Sequence, residues 1–168
     1  MSLEQSRFRD AALAKRLVEH IRKVAPSYLV KICHVCGTHE WTISNYGLRA
    51  LLPESVDVIA GPGCPVCIVP AAEIDEAIKL ALEKNVTIAT FGDLVRVPAS
   101  SMSLQDARAR GGDVRVVYSV IDAVRMAEKE SDRDFVFFAV GFETTAPSTA
   151  VEVLKKSPRN LSFLVSHR

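Results

Sequence analysis

The chain has 168 residues, the size of one domain, with 48% hydrophobic residues, 24% charged residues and a formal net charge of +1. That balance argues against a nucleic-acid or anionic-membrane partner, and no apolar run reaches the length of a membrane span. The polar, charged start from Met1 to Asp10 is not the pattern of a secretory signal, so a cytoplasmic location is expected, and four cysteines are too few for a disulfide scaffold in a chain this long.

In chain order, Leu13, Leu17, Ile21 and Val24 recur at helical spacing and predict a first helix from about Glu4 to Val24, closed by Pro26. Tyr28 to Val35 reads as a strand, and a helix follows from about Glu40 to Leu52. Val56 to Ala60 is the second strand and leads into Gly61-Pro62-Gly63-Cys64-Pro65-Val66-Cys67. Glycines permit backbone angles that side chains forbid and prolines remove N–H donors, so this run predicts a stiff turn. A third helix spans Ala71 to Lys84, and a third strand, Val86 to Thr90, ends at Phe91-Gly92-Asp93. A short helix from Leu104 to Arg110 stops at Gly111-Gly112, the fourth strand is Val114 to Tyr118, and a helix carrying Val120, Val124 and Ala127 comes next. Phe135 to Val140 is almost wholly apolar, as a central parallel strand should be. It runs into Gly141-Phe142-Glu143-Thr144-Thr145, a helix over 147–156 and a last strand over 161–165.

This alternation predicts one α/β domain over 1–168. The expected architecture is doubly wound, with a mainly parallel sheet of about six strands and helices on both faces. Ligands of such sheets bind outside the carboxyl ends of the strands. The unusual sequences lie at those ends, so their loops should share one edge.

Cys64 and Cys67, three positions apart on a rigid turn between strand and helix, suit a redox or metal-binding thiol pair, against the plainer reading of two inert buried thiols. Cys36 precedes a glycine near a helix N-terminus, where the helix dipole favours a thiolate, and reads as a metal ligand or nucleophile. His39 could ligate metal or shuttle protons, or be a surface residue of the first turn. Thr38 is a helix cap or a functional residue. Glu143 binds a ligand or caps a helix, Thr144 and Thr145 cap it or donate to an anion, and Asp93 is a similar candidate. Cys33 is read as structural, His34 has no pattern around it, and Trp41 is read as packing. Cys33-x-x-Cys36 with Cys64-x-x-Cys67 also matches the ligand set of a structural zinc site, although the interval between the pairs is longer than in common zinc ribbons.

Cys36-Gly37-Thr38-His39-Glu40, the Gly61–Cys67 run, Phe91-Gly92-Asp93 and Gly141–Thr145 stand in an order and at intervals that resemble the HypD family of hydrogenase maturation factors. The resemblance spans Cys36 to the terminal Ser166-His167-Arg168. It implies a scaffold for assembling the Fe(CN)2CO unit of nickel–iron hydrogenases. Its partners would be a HypC-type small chaperone and, transiently, a HypE-type cyanide donor. It further implies that Cys36 is the iron-site cysteine, that Cys64 and Cys67 are a redox-active dithiol, and that the motif around Glu143 lies near the same cleft. Taken with the residue readings above, the candidate catalytic residues are Cys64, Cys67, His39 and Glu143, the candidate cofactor-binding residues are Thr38, Asp93, Thr144 and Thr145, and the metal ligand is Cys36. Family members are longer, with a second α/β lobe and a cysteine-rich C-terminal region that holds a 4Fe-4S cluster. The present chain is therefore expected to be the N-terminal part of such a protein, without the cluster ligands. Cys33 does not belong to the family motif. The competing readings are a stand-alone thiol-disulfide oxidoreductase and a zinc-stabilised binding module.

Overall fold

The computed structural model describes residues 10–83 and 85–168. It is an α/β structure in which helices and strands alternate, all strand pairings are parallel, and the six described strands fall into sheets of two and four. The chain divides after Cys64 into two compact units.

The first unit opens with helix α1 (Ala11–Val24). Asp10 caps it by accepting hydrogen bonds from the amides of Ala12 and Leu13 at 2.9 and 3.0 Å, and Arg22 and Lys23 sit in the last turn where cations suit the helix dipole. The expected start at Glu4 lies outside the described residues. Strand β1 (Val30–His34), helix α2 (Gly37–Asn45), helix α3 (Leu48–Leu51) and strand β2 (Val56–Ala60) follow. The sequence suggested one continuous helix where α2 and α3 stand. The break is at Gly47, whose φ of 61° is left-handed and suits a residue without a Cβ. Strands β1 and β2 pair in parallel with Val30 opposite Val56 and His34 opposite Ala60. Their carboxyl ends, and the loops carrying Cys36 and Cys64, therefore emerge side by side. No described residue of this unit is fully buried. Trp41, expected to pack, is 62% exposed.

The second unit begins with a 3-10 turn (Val66–Ile68) and helix α4 (Ala71–Leu82). Next come β3 (Val86–Thr90), a second 3-10 turn (Leu94–Arg96), α5 (Leu104–Ala109), β4 (Asp113–Val116), α6 (Val120–Lys129), β5 (Asp134–Gly141), α7 (Ala146–Leu154) and β6 (Leu161–His167). The sheet order is β4-β3-β5-β6. Side chains alternate across a strand, and β5 uses both faces. Phe138 and Val140 join a core with Ile74 and Ile78 of α4 and Leu104 of α5, while Phe135, Phe137 and Ala139 join a second core with Val120, Ala123 and Ala127 of α6. Ser103 and Ser119 each close a capping box, with Asp106 and Asp122, so α5 and α6 start at fixed points. Because β4 and β5 flank β3 on opposite sides, the winding reverses between β3 and β5. That leaves a crevice at their carboxyl ends, the usual ligand position in such sheets. No helix among the described residues is long and apolar enough to cross a membrane.

Candidate functional site

The turn after β2 is shaped by its glycines. Gly61 donates its amide to the carbonyl of His34 at 2.7 Å, extending the contact between the strand ends. A Cβ on Gly61 would stand 2.7 Å from that carbonyl oxygen and 3.0 Å from Cys33 Sγ, so a side chain is excluded. Gly63 has φ of 94°, in the region that favours glycine. Pro65 then enters the 3-10 turn that carries Cys67. The expected stiff turn is thus a glycine bend followed by one tight helical turn, and the short span from Cys64 through Pro65 and Val66 sets where Cys67 can reach.

Cys36 is the N-cap residue of α2, in extended conformation, and its carbonyl accepts from the amide of Glu40 at 3.1 Å. The sulfurs of Cys36, Cys64 and Cys67 lie within 4.8 Å of one another, the one such group of three or more metal-ligating side chains among the described residues. Two thiolates on one tetrahedral metal at zinc-like bond lengths stand roughly 3.8 Å apart, a spacing inside the bound on this group. A disulfide needs sulfurs about 2.05 Å apart, so the Cys64–Cys67 pair must close further to bond. Cys33 lies in β1, outside this group. The four-cysteine zinc set suggested by the two Cys-x-x-Cys spacings is therefore not assembled among these residues.

Behind Cys36 is a polar network that the sequence did not reveal. Glu40 accepts from Arg49 Nη1 at 2.8 Å and Nη2 at 2.7 Å, from Ser44 Oγ at 2.7 Å, and meets His34 Nε2 at 2.8 Å. Arg49 Nε also donates to the Val58 carbonyl on β2 at 2.7 Å. The Arg49 guanidinium, then Ser44 and His34, hold the Glu40 carboxyl well below the usual carboxylate range. Since Glu40 is a carboxylate, Nε2 of His34 carries the donated proton. Nδ1 of His34 is buried without a hydrogen-bond partner. The network ties the first turn of α2 to α3 and β2. Glu40 and Arg49 are nine residues apart, a spacing that marks no helical face, so no sequence signal pointed to their pairing.

His39 and Thr38, on the first turn of α2, are both exposed. The His39 ring stands 6.3 Å from that of His34, edge to face. The remaining candidates belong to the second unit. Asp93 follows β3 and is exposed, as are Glu143 and Thr144 after β5. These two loops end adjacent strands at the sheet's crevice. Thr145 Oγ1 donates to the Phe142 carbonyl at 3.0 Å, closing the turn before α7.

A family model described as HypD, the hydrogenase formation hypA family, matches residues 12–168. The chain belongs to the HypD family. It is 47% identical over 165 residues to the hydrogenase maturation factor HypD of Cupriavidus necator, covering 95% of this chain and 44% of that protein. It is 48% identical over 165 residues to HypD of Rhizobium leguminosarum bv. viciae, covering 95% and 43%. It is 43% identical over 169 residues to HypD of Escherichia coli, covering 95% and 45%. The chain thus spans less than half the length of the HypD relatives it matches. The family is one of hydrogenase formation, and the cysteine group is the feature here that could hold a metal ion.

Proposed function

We propose that this chain provides the thiol centre of a cytoplasmic hydrogenase maturation factor. In that role the factor, joined by a HypC-type small chaperone, holds an iron ion while it becomes the Fe(CN)2CO unit. The observation that carries this reading is the convergence of three thiols within 4.8 Å beside a helix N-terminus. Iron is the cargo here, and Cys36 is its ligand. The N-terminal amides of α2 favour the thiolate, and the Glu40–Arg49 clasp holds that helix turn in place.

Cys64 and Cys67 form the redox pair. Closing their S–S bond releases two electrons and two protons, and reopening it takes them back. His39 moves protons at the exposed side of α2, and Glu143 serves as a second acid–base group. Thr38, Thr144 and Thr145 offer polar contacts to the cargo and its ligands. Cyanide arrives from a HypE-type donor that docks transiently.

Infrared spectroscopy of the full-length protein, copurified with its small chaperone, tests the proposal. Cyanide and carbonyl stretching bands are expected, together with iron in the metal analysis. Stoichiometric zinc without these bands would favour a zinc-stabilised module. Reduction of a generic disulfide by Cys64 and Cys67, with neither iron nor a partner, would favour a stand-alone oxidoreductase.

A further inference from the structure

A cavity of about 570 Å3 opens in the second unit between the turn after β3 and helix α5, lined by Gly92, Asp93, Arg96, Gln105, Arg108 and Val116 among others. This lies within the usual range of small-molecule sites, roughly 300–1,000 Å3. Its charged groups are not spent on each other. Among the described residues, the side chains of Asp93, Arg96 and Arg108 have no hydrogen-bond or ion-pair partner.

The backbone that presents them is well anchored. Leu94 and Val95 are buried, so the 3-10 turn is pinned to the core and Arg96, next along it, projects outward. Leu104 and Ala107 are fully buried, which turns Gln105 and Arg108 of α5 to the open side. The Ser103–Asp106 capping box fixes where that helix starts. At Gly92 a Cβ would stand 3.3 Å from Val116 Cγ1, so the glycine keeps the β3 turn close against β4. Polar side chains on elements held by packing make a preorganised site.

Two guanidinium forks facing one cavity match a tetrahedral dianion, since each can give parallel N–H donors to two oxygens. An unpaired carboxylate in the same cavity repels bare anions but accepts from a hydroxyl. We propose that Arg96 and Arg108 clamp the phosphate of a small phosphate monoester, while Asp93 and Gln105 hold a hydroxyl or similar donor on the same molecule. The proposal is independent of the cysteine centre.

Isothermal titration of the full-length protein with glycerol 3-phosphate and with inorganic phosphate tests it. Saturable binding is expected, with glycerol 3-phosphate the tighter of the two. Arg96→Gln and Arg108→Gln should each weaken it on the order of tenfold, the loss of one charged hydrogen-bonding group. Arg110→Gln, at the exposed end of α5 outside the cavity, should leave it unchanged. Asp93→Asn should strengthen inorganic phosphate and narrow the preference for the hydroxylated ester. Protein with its thiols alkylated should bind as before, which separates this site from the metal chemistry. Absence of saturable binding, or an equal loss in Arg110→Gln, would overturn the proposal, and an unchanged preference in Asp93→Asn would remove the role of Asp93.

Discussion

Arg49 clasps Glu40 through two parallel hydrogen bonds, Nη1 to Oε1 at 2.8 Å and Nη2 to Oε2 at 2.7 Å, so the helix turn beside Cys36 is tied to residues that follow it. The clasp lowers the Glu40 value in the folded state, so as pH falls the unfolded chain takes up the proton first. Its stability is therefore complete above the ordinary carboxylate value, about 4.3, and drains away as pH drops from there toward the folded value. Urea midpoints measured from neutral pH downward should fall less steeply in Glu40→Gln than in the parent. Arg49→Gln should lower the midpoint at neutral pH and speed alkylation of Cys36. An identical pH slope in parent and Glu40→Gln would mean that the clasp does not hold the fold.

Gly61 is the second constraint on the thiol centre. Its Cβ would collide with the His34 backbone carbonyl at 2.7 Å, and a carbonyl in a paired strand cannot step aside as a side-chain tip could. Gly61→Ala should therefore push the end of β2 away from β1, costing about 1–3 kcal/mol as an overpacking change. It should also slow crosslinking of Cys36 to Cys64 by a short bifunctional thiol reagent. Unchanged thermal stability together with unchanged crosslinking would refute the close approach.

Much of this was legible in the sequence, for physical reasons. The unbroken apolar run at Phe135–Val140 marks a strand buried on both faces, and β5 feeds both cores. Cys36 and Cys64 were expected on neighbouring strand ends, and the parallel register of β1 with β2 puts them there. What the pattern did not carry was pairing between strands. Alternation counts strands, but their partition into sheets of two and four depends on non-local contacts that leave no local period. The Glu40–Arg49–His34 network was invisible for the same reason. His34 looked like a residue without a pattern because its partner Glu40 is brought to it by the turn at Cys36.

Gly141 offers a test in the second unit. A Cβ there would lie 1.7 Å from Thr145 Oγ1 and 2.9 Å from Thr145 Cβ, so the threonine must rotate or its turn must move. Either response breaks the bond from Thr145 Oγ1 to the Phe142 carbonyl. Gly141→Ala is expected to destabilise the protein by about 1–3 kcal/mol, to loosen the loop that carries Glu143 and Thr144, and to raise hydrogen exchange at the amides of Thr145 and Ala146. Exchange that stays at the parental rate would show that the loop absorbs the methyl group without cost.

The last prediction separates the thiols by role. Cys36 sits at a helix N-terminus behind a glycine, a setting for an anionic ligand, whereas Cys64 and Cys67 are held by one tight turn in which two sulfurs can close on each other. In the full-length protein with its chaperone, Cys36→Ala should abolish iron retention and leave the Cys64–Cys67 couple intact. Cys64→Ala should remove the couple while Cys36 stays alkylatable. Cys33→Ala, outside the group, should change neither. Differential alkylation read by mass spectrometry after mild oxidation, run beside iron analysis, reports both properties on one sample. The proximity of all three sulfurs, within 4.8 Å of one another, makes the opposite assignment chemically reachable. Cys36 locked in the main disulfide, with Cys64 or Cys67 left reactive, would therefore reverse the roles proposed for these residues.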